Sequence, residues 1–244
     1  MTKTAILFDL DGTLLPMDRE EFVRAYLPGI SAAAAMLGEP KTIGRAILHG
    51  SNVMMAQTGG TQPLEAVFWQ AFEAASGITR EASEPLFQRY YEGEAFEAVR
   101  AITPMEPLVP RIIEAAKATG LRLILATSPL FPRVATQKRV SWAGLRVEDF
   151  EHITTFEDYH AAKPHRAYYE ELLIRLGLQA EQCIMVGNDA VEDLRAPAEL
   201  GMETFLVRNH AIIPEGCEYV CDHEGDYGAL LAYLERMAGY SVCG

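Results

Sequence analysis

Residues 5–15 read Ala5-Ile6-Leu7-Phe8-Asp9-Leu10-Asp11-Gly12-Thr13-Leu14-Leu15, and this stretch decides the fold. Ala5 to Phe8 is a short, uninterrupted apolar run, the pattern of a strand buried on both faces inside a parallel sheet. It runs directly into two carboxylates separated by one apolar residue and closed by a glycine. Carboxylates beside a core are costly unless paired or bound to a metal. Open α/β sheets place their ligand sites at the carboxyl ends of strands, where these acids would sit. The plainer alternative is an acidic turn with Asp11 and Gly12 as turn residues, and the remainder of the chain must decide between them.

Working outward, Pro16 changes the character of the chain. From Arg19 to about Gly93 helical spacing dominates. Phe22, Val23, Tyr26 and Leu27 make one apolar face, with Pro28-Gly29 expected to kink or end that helix. Ser31–Leu37 is alanine-rich and helix-prone. Further helices are expected over Thr42–Gln57, Pro63–Ala75 and Arg80–Glu92, separated by the Thr58–Thr61 loop and by Gly77. The block reads as an all-helical insertion. Pro104, Pro107 and Pro110 then mark a hinge back to alternating strands and helices.

After the hinge the expected strands are Leu121–Ala126, a brief His152–Thr155, Gln182–Val186, Thr204–Val207 and a possible Tyr219–Cys221. The helices between and after them are Leu108–Thr119, Arg133–Trp142, Ala167–Leu176, Glu192–Leu200 and Tyr227–Met237. Such alternation predicts an α/β fold with a doubly wound parallel sheet. The expected organisation is a core of residues 1–15 and 108–244, with residues 16–107 inserted as a helical cap.

Composition narrows the function classes. With 244 residues and 49% hydrophobic content the chain is long and apolar enough for a folded core. A formal charge of −13 argues against a nucleic-acid partner, whose phosphates are bound by clustered cations. The chain passes from Met1-Thr2-Lys3-Thr4 straight into the first strand, and no apolar run is long enough to span a bilayer, so a cytoplasmic location without membrane partners is expected. Of the four cysteines, Cys183 lies in an apolar run. Cys217, Cys221 and Cys243 lie near the C-terminus, and Cys217-x3-Cys221-x-His223 lacks the second ligand pair of a zinc site.

Three strand ends carry unusual groups: Asp9 with Asp11, Thr127 with Ser128, and Asn188 with Asp189, Asp193 lying beyond. In a parallel sheet these ends converge on one crevice, and Lys163 could reach the same edge. Clustered acids repel one another and call for a divalent cation. Oxygen ligands with few nitrogen or sulfur donors favour Mg²⁺ over zinc.

On these residues the chain resembles the haloacid dehalogenase (HAD) superfamily, in its phosphatase branch with a helical cap of the first type. Asp9-Leu10-Asp11-Gly12-Thr13 matches the first motif, DxDGT. Thr127 matches the second, Lys163-Pro164 the third, and Gly187-Asn188-Asp189 with Asp193 the acidic fourth. The resemblance implies a Rossmann-like core and an enzyme that hydrolyses a small phosphorylated metabolite with Mg²⁺. It also implies roles. Asp9 would be the nucleophile forming an aspartyl-phosphate and Asp11 the general acid and base. Thr127, Ser128 and Gly12 would approach the phosphoryl group, and Lys163 would offset charge. The metal would be held by Asp9, the Asp11 carbonyl and an acid of the fourth motif, with Asp193 as a direct or water-mediated partner. There the sequence departs from the simplest pattern. The place immediately after Gly187 is Asn188, so Asp189 is favoured as ligand and Asn188 is the alternative.

In the insertion Arg24, Arg45, His49, Asn52 and the Thr58–Thr61 loop are polar candidates for substrate contact. Trp69 and Trp142 read as packing. A dehalogenase or phosphomutase of the same fold is the alternative activity, although a dehalogenase needs no acid at Asp11. A non-enzymatic phosphoacceptor or binding module is disfavoured by the chain's length and by the insertion. Neither the substrate nor the oligomeric state follows from the sequence.

Overall fold

A computed structural model describes residues 2–241. Six parallel strands form one sheet in the order β3-β2-β1-β4-β5-β6. They are β1 (Ala5–Phe8), β2 (Arg122–Leu125), β3 (His152–Ile153), β4 (Cys183–Gly187), β5 (Glu203–Val207) and β6 (His223–Gly225). The order reverses beside β1, so the carboxyl ends of β1, β2 and β4 open on a common crevice.

Every residue of β1 is buried, as an apolar strand inside a parallel sheet requires. Alternation divides its side chains between two faces. Ile6 and Phe8 pack with α6 (Leu108–Ala118), α7 (Arg133–Trp142) and α10 (Tyr227–Ser241). Ala5 and Leu7 pack with α8 (Arg166–Leu176) and α9 (Ala196–Leu200). This is the expected doubly wound arrangement.

Between β1 and β2 the chain is helical: α1 (Arg19–Ala33), α2 (Pro40–Met55), α3 (Leu64–Ser76), α4 (Arg80–Glu92) and the short α5 (Glu94–Glu97). Asp18 caps α1 by accepting a hydrogen bond from the Glu21 amide at 2.8 Å. The helix continues through Pro28 rather than ending there, so the expected Ser31–Leu37 helix divides: its first residues close α1 and Ala34–Leu37 form a turn. The apolar face of the insertion, including Phe22, Tyr26, Ile47 and Phe68, is continuous with the core under Ile6 and Phe8. The amides of Leu64 and Glu65 open α3 without a side-chain cap. They donate instead to the carbonyls of Tyr159 (2.8 Å) and Phe156 (2.9 Å), in the loop after β3.

Two further expectations are corrected. The edge strand is His223–Gly225, not Tyr219–Cys221, because the Asp222 carboxylate takes the Thr204 amide (2.8 Å) and hydroxyl (3.1 Å), and pairing starts at His223. Glu192–Leu200 is not one regular helix: residues 190–195 form a wide π-turn and α9 follows. Pro197 lacks the amide that would close a regular turn onto the Asp193 carbonyl. Cys243 lies outside the described residues. Among the described residues no helix is long and apolar enough to cross a membrane.

Candidate active site

The strand ends converge as the sheet topology requires. Asp9 follows β1, with its amide held by the Val186 carbonyl of β4 at 2.9 Å. Its carboxylate is gripped on both oxygens: Oδ1 accepts from Lys163 Nζ at 2.8 Å and Oδ2 from Thr13 Oγ1 at 3.0 Å. Lys163 has no exposed side-chain surface and reaches a second acid, Asp193 Oδ1, at 2.6 Å. Burial alone would push the Lys163 ammonium down. The carboxylates of Asp193 and Asp9 outweigh it and hold the group well above the usual lysine range.

The other oxygen of Asp193 accepts from the amides of Asn188 and Asp189, both at 3.0 Å. Burial pushes this carboxyl up and Lys163 opposes the shift. All of its partners are donors, so the arrangement suits the ionised form. Asp193 thereby folds the turn after β4 back on itself, tightly enough that a Cβ at Gly187 would collide with its carboxylate.

Asn188 donates through Nδ2 to the His210 carbonyl at 2.7 Å, and its Oδ1 faces Thr13 Oγ1 at 3.0 Å. The single proton of Thr13 is therefore shared between two acceptors, Asp9 Oδ2 and Asn188 Oδ1. Gly12 permits this approach. It sits at φ +88°, and a side chain there would run into the Asn188 amide. Asp189 Oδ1 caps the following turn through the amides of Val191 (2.8 Å) and Glu192 (3.0 Å), while its Oδ2 lies 3.9 Å from Arg19.

Asp11 is placed differently. Its Oδ2 pairs with Arg139 Nη1, while Oδ1 is buried with no partner. Burial pushes the Asp11 carboxyl up, Arg139 opposes it and Asp9 adds to it, for a net rise. Arg139 lies on α7, is fully buried, stacks 4.3 Å from the centre of the Phe131 ring, and reaches Thr136 Oγ1 at 3.4 Å. From β2, Thr127 is 1% exposed, and its carbonyl accepts from Thr154 Oγ1 (2.5 Å) and Tyr168 Oη (3.0 Å). Ser128 Oγ is buried and unpartnered.

A cavity of about 270 Å³ opens on this cluster, walled by Asp9, Asp11, Thr127, Ser128, Asn188 and Asp189 at its floor. Asp193 also borders it, whereas Lys163 lies behind Asp9 and Gly12 beneath Asn188. The opposite wall comes from α1 and α2 of the insertion. Of the polar candidates there, Asn52 lines the cavity, whereas Arg24, Arg45 and His49 do not. Trp142 is core, packed 4.8 Å from Phe96.

Sequence reasoning gave no site role to Thr13, Arg139, Arg19 or Tyr26. Thr13 stands inside the DxDGT match and was readable from it. Arg19 and Tyr26 share the helical face of Phe22 and Val23. Arg139 carries no local signal, being one of several basic residues on an amphipathic helix.

A divalent cation fits the donors present. Asp9 Oδ2, Asn188 Oδ1, the Asp189 carboxylate and the Asp11 carbonyl are all hard oxygen donors, and the shared Thr13 proton leaves one acceptor with a free lone pair. Among the described residues no three His, Cys, Asp or Glu side chains form a metal cage on their own. An amide and a backbone carbonyl would have to complete the set.

Comparison with known proteins places the chain in a family. A relative from Methanocaldococcus jannaschii, glyceraldehyde 3-phosphate phosphatase, is 34% identical over 58 residues, covering 24% of this chain and only 25% of that protein. A HAD phosphatase from Thermococcus onnurineus shares the fold with a TM-score of 0.59 at 19% identity, over 95% of this chain and 97% of its own. An L-2-haloacid dehalogenase superposes with a TM-score of 0.57 at 19% identity, over 96% of this chain and all of its own. The two structural likenesses speak to the fold alone. Residues 3–201 match the haloacid dehalogenase-like hydrolases, and the chain belongs to that family.

Proposed function

We propose that the protein is a Mg²⁺-dependent phosphatase of a small phosphorylated metabolite, with residues 16–107 acting as a cap over a core of residues 1–15 and 108–244. The observation that carries this reading is the unpartnered, buried Oδ1 of Asp11, two residues from a nucleophile candidate and bordering the same cavity. A dehalogenase needs no proton carrier there; a phosphatase does, because its leaving group is an alkoxide.

In this reading an Asp9 carboxylate oxygen attacks phosphorus, the P–O bond to the alcohol breaks, and Asp11 gives its proton to the leaving oxygen. Water then attacks the aspartyl-phosphate, Asp11 takes up its proton, and phosphate leaves with Asp9 regenerated. Proton transfer of this kind is worth ~10²–10⁴ in rate. The raised pKa of Asp11 suits a group that must carry a proton, and Arg139 holds its other oxygen in place. Lys163 fixes the direction of the Asp9 carboxylate and offsets charge as the phosphoryl group arrives. Thr127 and Ser128 supply hydroxyls to phosphoryl oxygens. Asp9, the Asp11 carbonyl and either Asp189 or Asn188 would hold Mg²⁺, and Asp193 would shape the turn that presents them. Mg²⁺, when bound, neutralises the carboxylate and phosphate charges that otherwise oppose attack.

The test is phosphate release from p-nitrophenyl phosphate with and without Mg²⁺, alongside Asp9→Asn. Metal-dependent release that the substitution abolishes supports the reading. A folded protein that releases no phosphate from any ester sinks it.

A further inference from the structure

The cavity above Asp9 is apolar away from its floor. Phe22, Val23, Leu27, Ile47, Leu48 and Phe131 line it there. The polar groups among them are few. Tyr26 is tied through its hydroxyl to Tyr91 at 2.6 Å, and burial holds its phenol far above the usual range, so it stays neutral. Ser51 and Asn52 are uncharged.

Among the described residues the cavity wall holds one cation, Arg19, whose side chain is 60% exposed and already ion-paired. It lies 3.0 Å from Glu192 and 3.9 Å from Asp189. The wall therefore offers no unpaired charge for a second anionic group on the substrate. Burying such a group without a counter-charge is costly. It also offers few partners for a run of hydroxyls, each of which would lose water without a replacement.

A second, smaller cavity of about 90 Å³ lies beside the first, with Tyr26, Ile47, Ser51, Leu130 and Phe131 bordering both. Its far side is aromatic, with Phe68, Trp69 and Phe87. Trp69 Nε1 is buried and has no partner. Glu65 and Glu84 also border this space, both ion-paired with Arg80, so it adds no free cation for an anion.

From this wall we infer the substrate class: the phosphate monoester of a neutral, largely apolar alcohol, not a phosphorylated carboxylic acid, a bisphosphate or a polyol phosphate. The inference rests on the phosphatase reading for its chemistry and on the cavity wall for its specificity. The phosphoryl group meets Asp9, Thr127 and Ser128 at the floor, and the carbon chain runs between α1 and α2 towards Trp69.

The experiment compares alkyl phosphates, whose leaving groups are equally poor, in the presence of Mg²⁺. From ethyl to hexyl phosphate, kcat/KM should rise roughly three- to fourfold per methylene until the cavity is full. Phosphoglycolate should fall at least about tenfold below ethyl phosphate, because its carboxylate would be buried unpaired. Leu48 is 39% exposed on the cavity rim. Leu48→Arg should leave folding intact and raise the phosphoglycolate to ethyl phosphate ratio by roughly tenfold, as a charge-assisted hydrogen bond would.

A flat chain-length dependence, or phosphoglycolate cleaved as well as ethyl phosphate, overturns the inference. Activity on p-nitrophenyl phosphate in that case leaves the phosphatase reading standing. If no ester is cleaved, binding of hexylphosphonate against phosphonoacetate by calorimetry with Mg²⁺ separates the two claims. Preference for hexylphosphonate upholds the apolar site without the chemistry, and equal binding removes both.

Discussion

The contact between Arg139 and Asp11 makes the sharpest demand on the structure. Arg139 is fully buried on α7, and Asp11 keeps 26% of its side-chain surface open to the cavity. Replacing Arg139 by Met keeps much of the volume over Phe131 but removes the charge and the Thr136 contact. Breaking a buried ion pair costs about 3–5 kcal/mol when the remaining charge is sealed from water. Asp11 can rehydrate through the cavity, so a loss of about 2–3 kcal/mol is expected. For a chain of this size that corresponds to roughly 4–12 °C in Tm.

Stability alone does not identify the partner. A double-mutant cycle with Asp11→Asn does: once Asp11 is uncharged, Arg139→Met should cost at least about 1 kcal/mol less than in the parent protein. Activity supplies the second axis. Arg139→Met should lower kcat on alkyl phosphates more than on p-nitrophenyl phosphate, whose leaving group needs little protonation, and Arg139→Lys should recover part of the loss. A Tm unchanged within 2 °C, or an equal loss on both substrate types, would refute the view that Arg139 acts through Asp11.

Three other outcomes follow from the same geometry. Lys163→Met leaves Asp9 and Asp193 facing each other without a counter-charge, so denaturant unfolding should show a loss of about 3–5 kcal/mol together with lost phosphate release; near-parental stability would contradict the pairing. Gly12→Ala forces a side chain onto the left-handed backbone at φ +88° and into Asn188, so thermal unfolding should register a loss of at least ~1 kcal/mol. His152 is pushed below the usual histidine range by burial and bonds Tyr159 at 2.8 Å. The unfolded chain then takes up its proton first as pH falls, so the stability held above about pH 6.5 should erode below it in the parent and less in His152→Gln, as measured by Tm from pH 8 to 5.

The fold was legible because its decisive strands are short apolar runs that end in residues no core would choose. Asp9, Thr127 and Asn188 each follow such a run, and strand order alone brings them together. The edges were less legible. At Tyr219–Cys221 the composition suits a strand, but the Asp222 side chain occupies the neighbouring ladder groups, and sequence pattern does not register a side chain substituting for backbone. Pro28-Gly29 was expected to kink or end the helix, yet α1 runs on because Ile30 and Ser31 remain buried against the insertion. Around the cavity the strand-end residues Asp9, Thr127 and Asn188 were legible, whereas Arg19, Tyr26 and Arg139 on helix faces carried no readable signal. Arg139 meets Asp11 across 128 positions, and no local spacing encodes that meeting.

The placement of charge also bears on why the fourth motif carries Asn188 where an acid is common. Asp9, Asp11, Asp189 and Asp193 crowd the floor, and Glu192 is matched by Arg19. Against these four carboxylates stand two buried cations, Lys163 and Arg139. With all four ionised, as after Asp11 has given up its proton, two negative charges are left, the amount a divalent cation balances. An Asp at position 188 would add a third, directly beside Thr13 and Asp9, and would lose the Nδ2 donor that holds the His210 carbonyl. Asn188→Asp should therefore weaken the fold when metal is chelated and recover more than the parent when Mg²⁺ is added. Equal Tm responses to Mg²⁺ in the two proteins would show that position 188 does not share in the metal's charge.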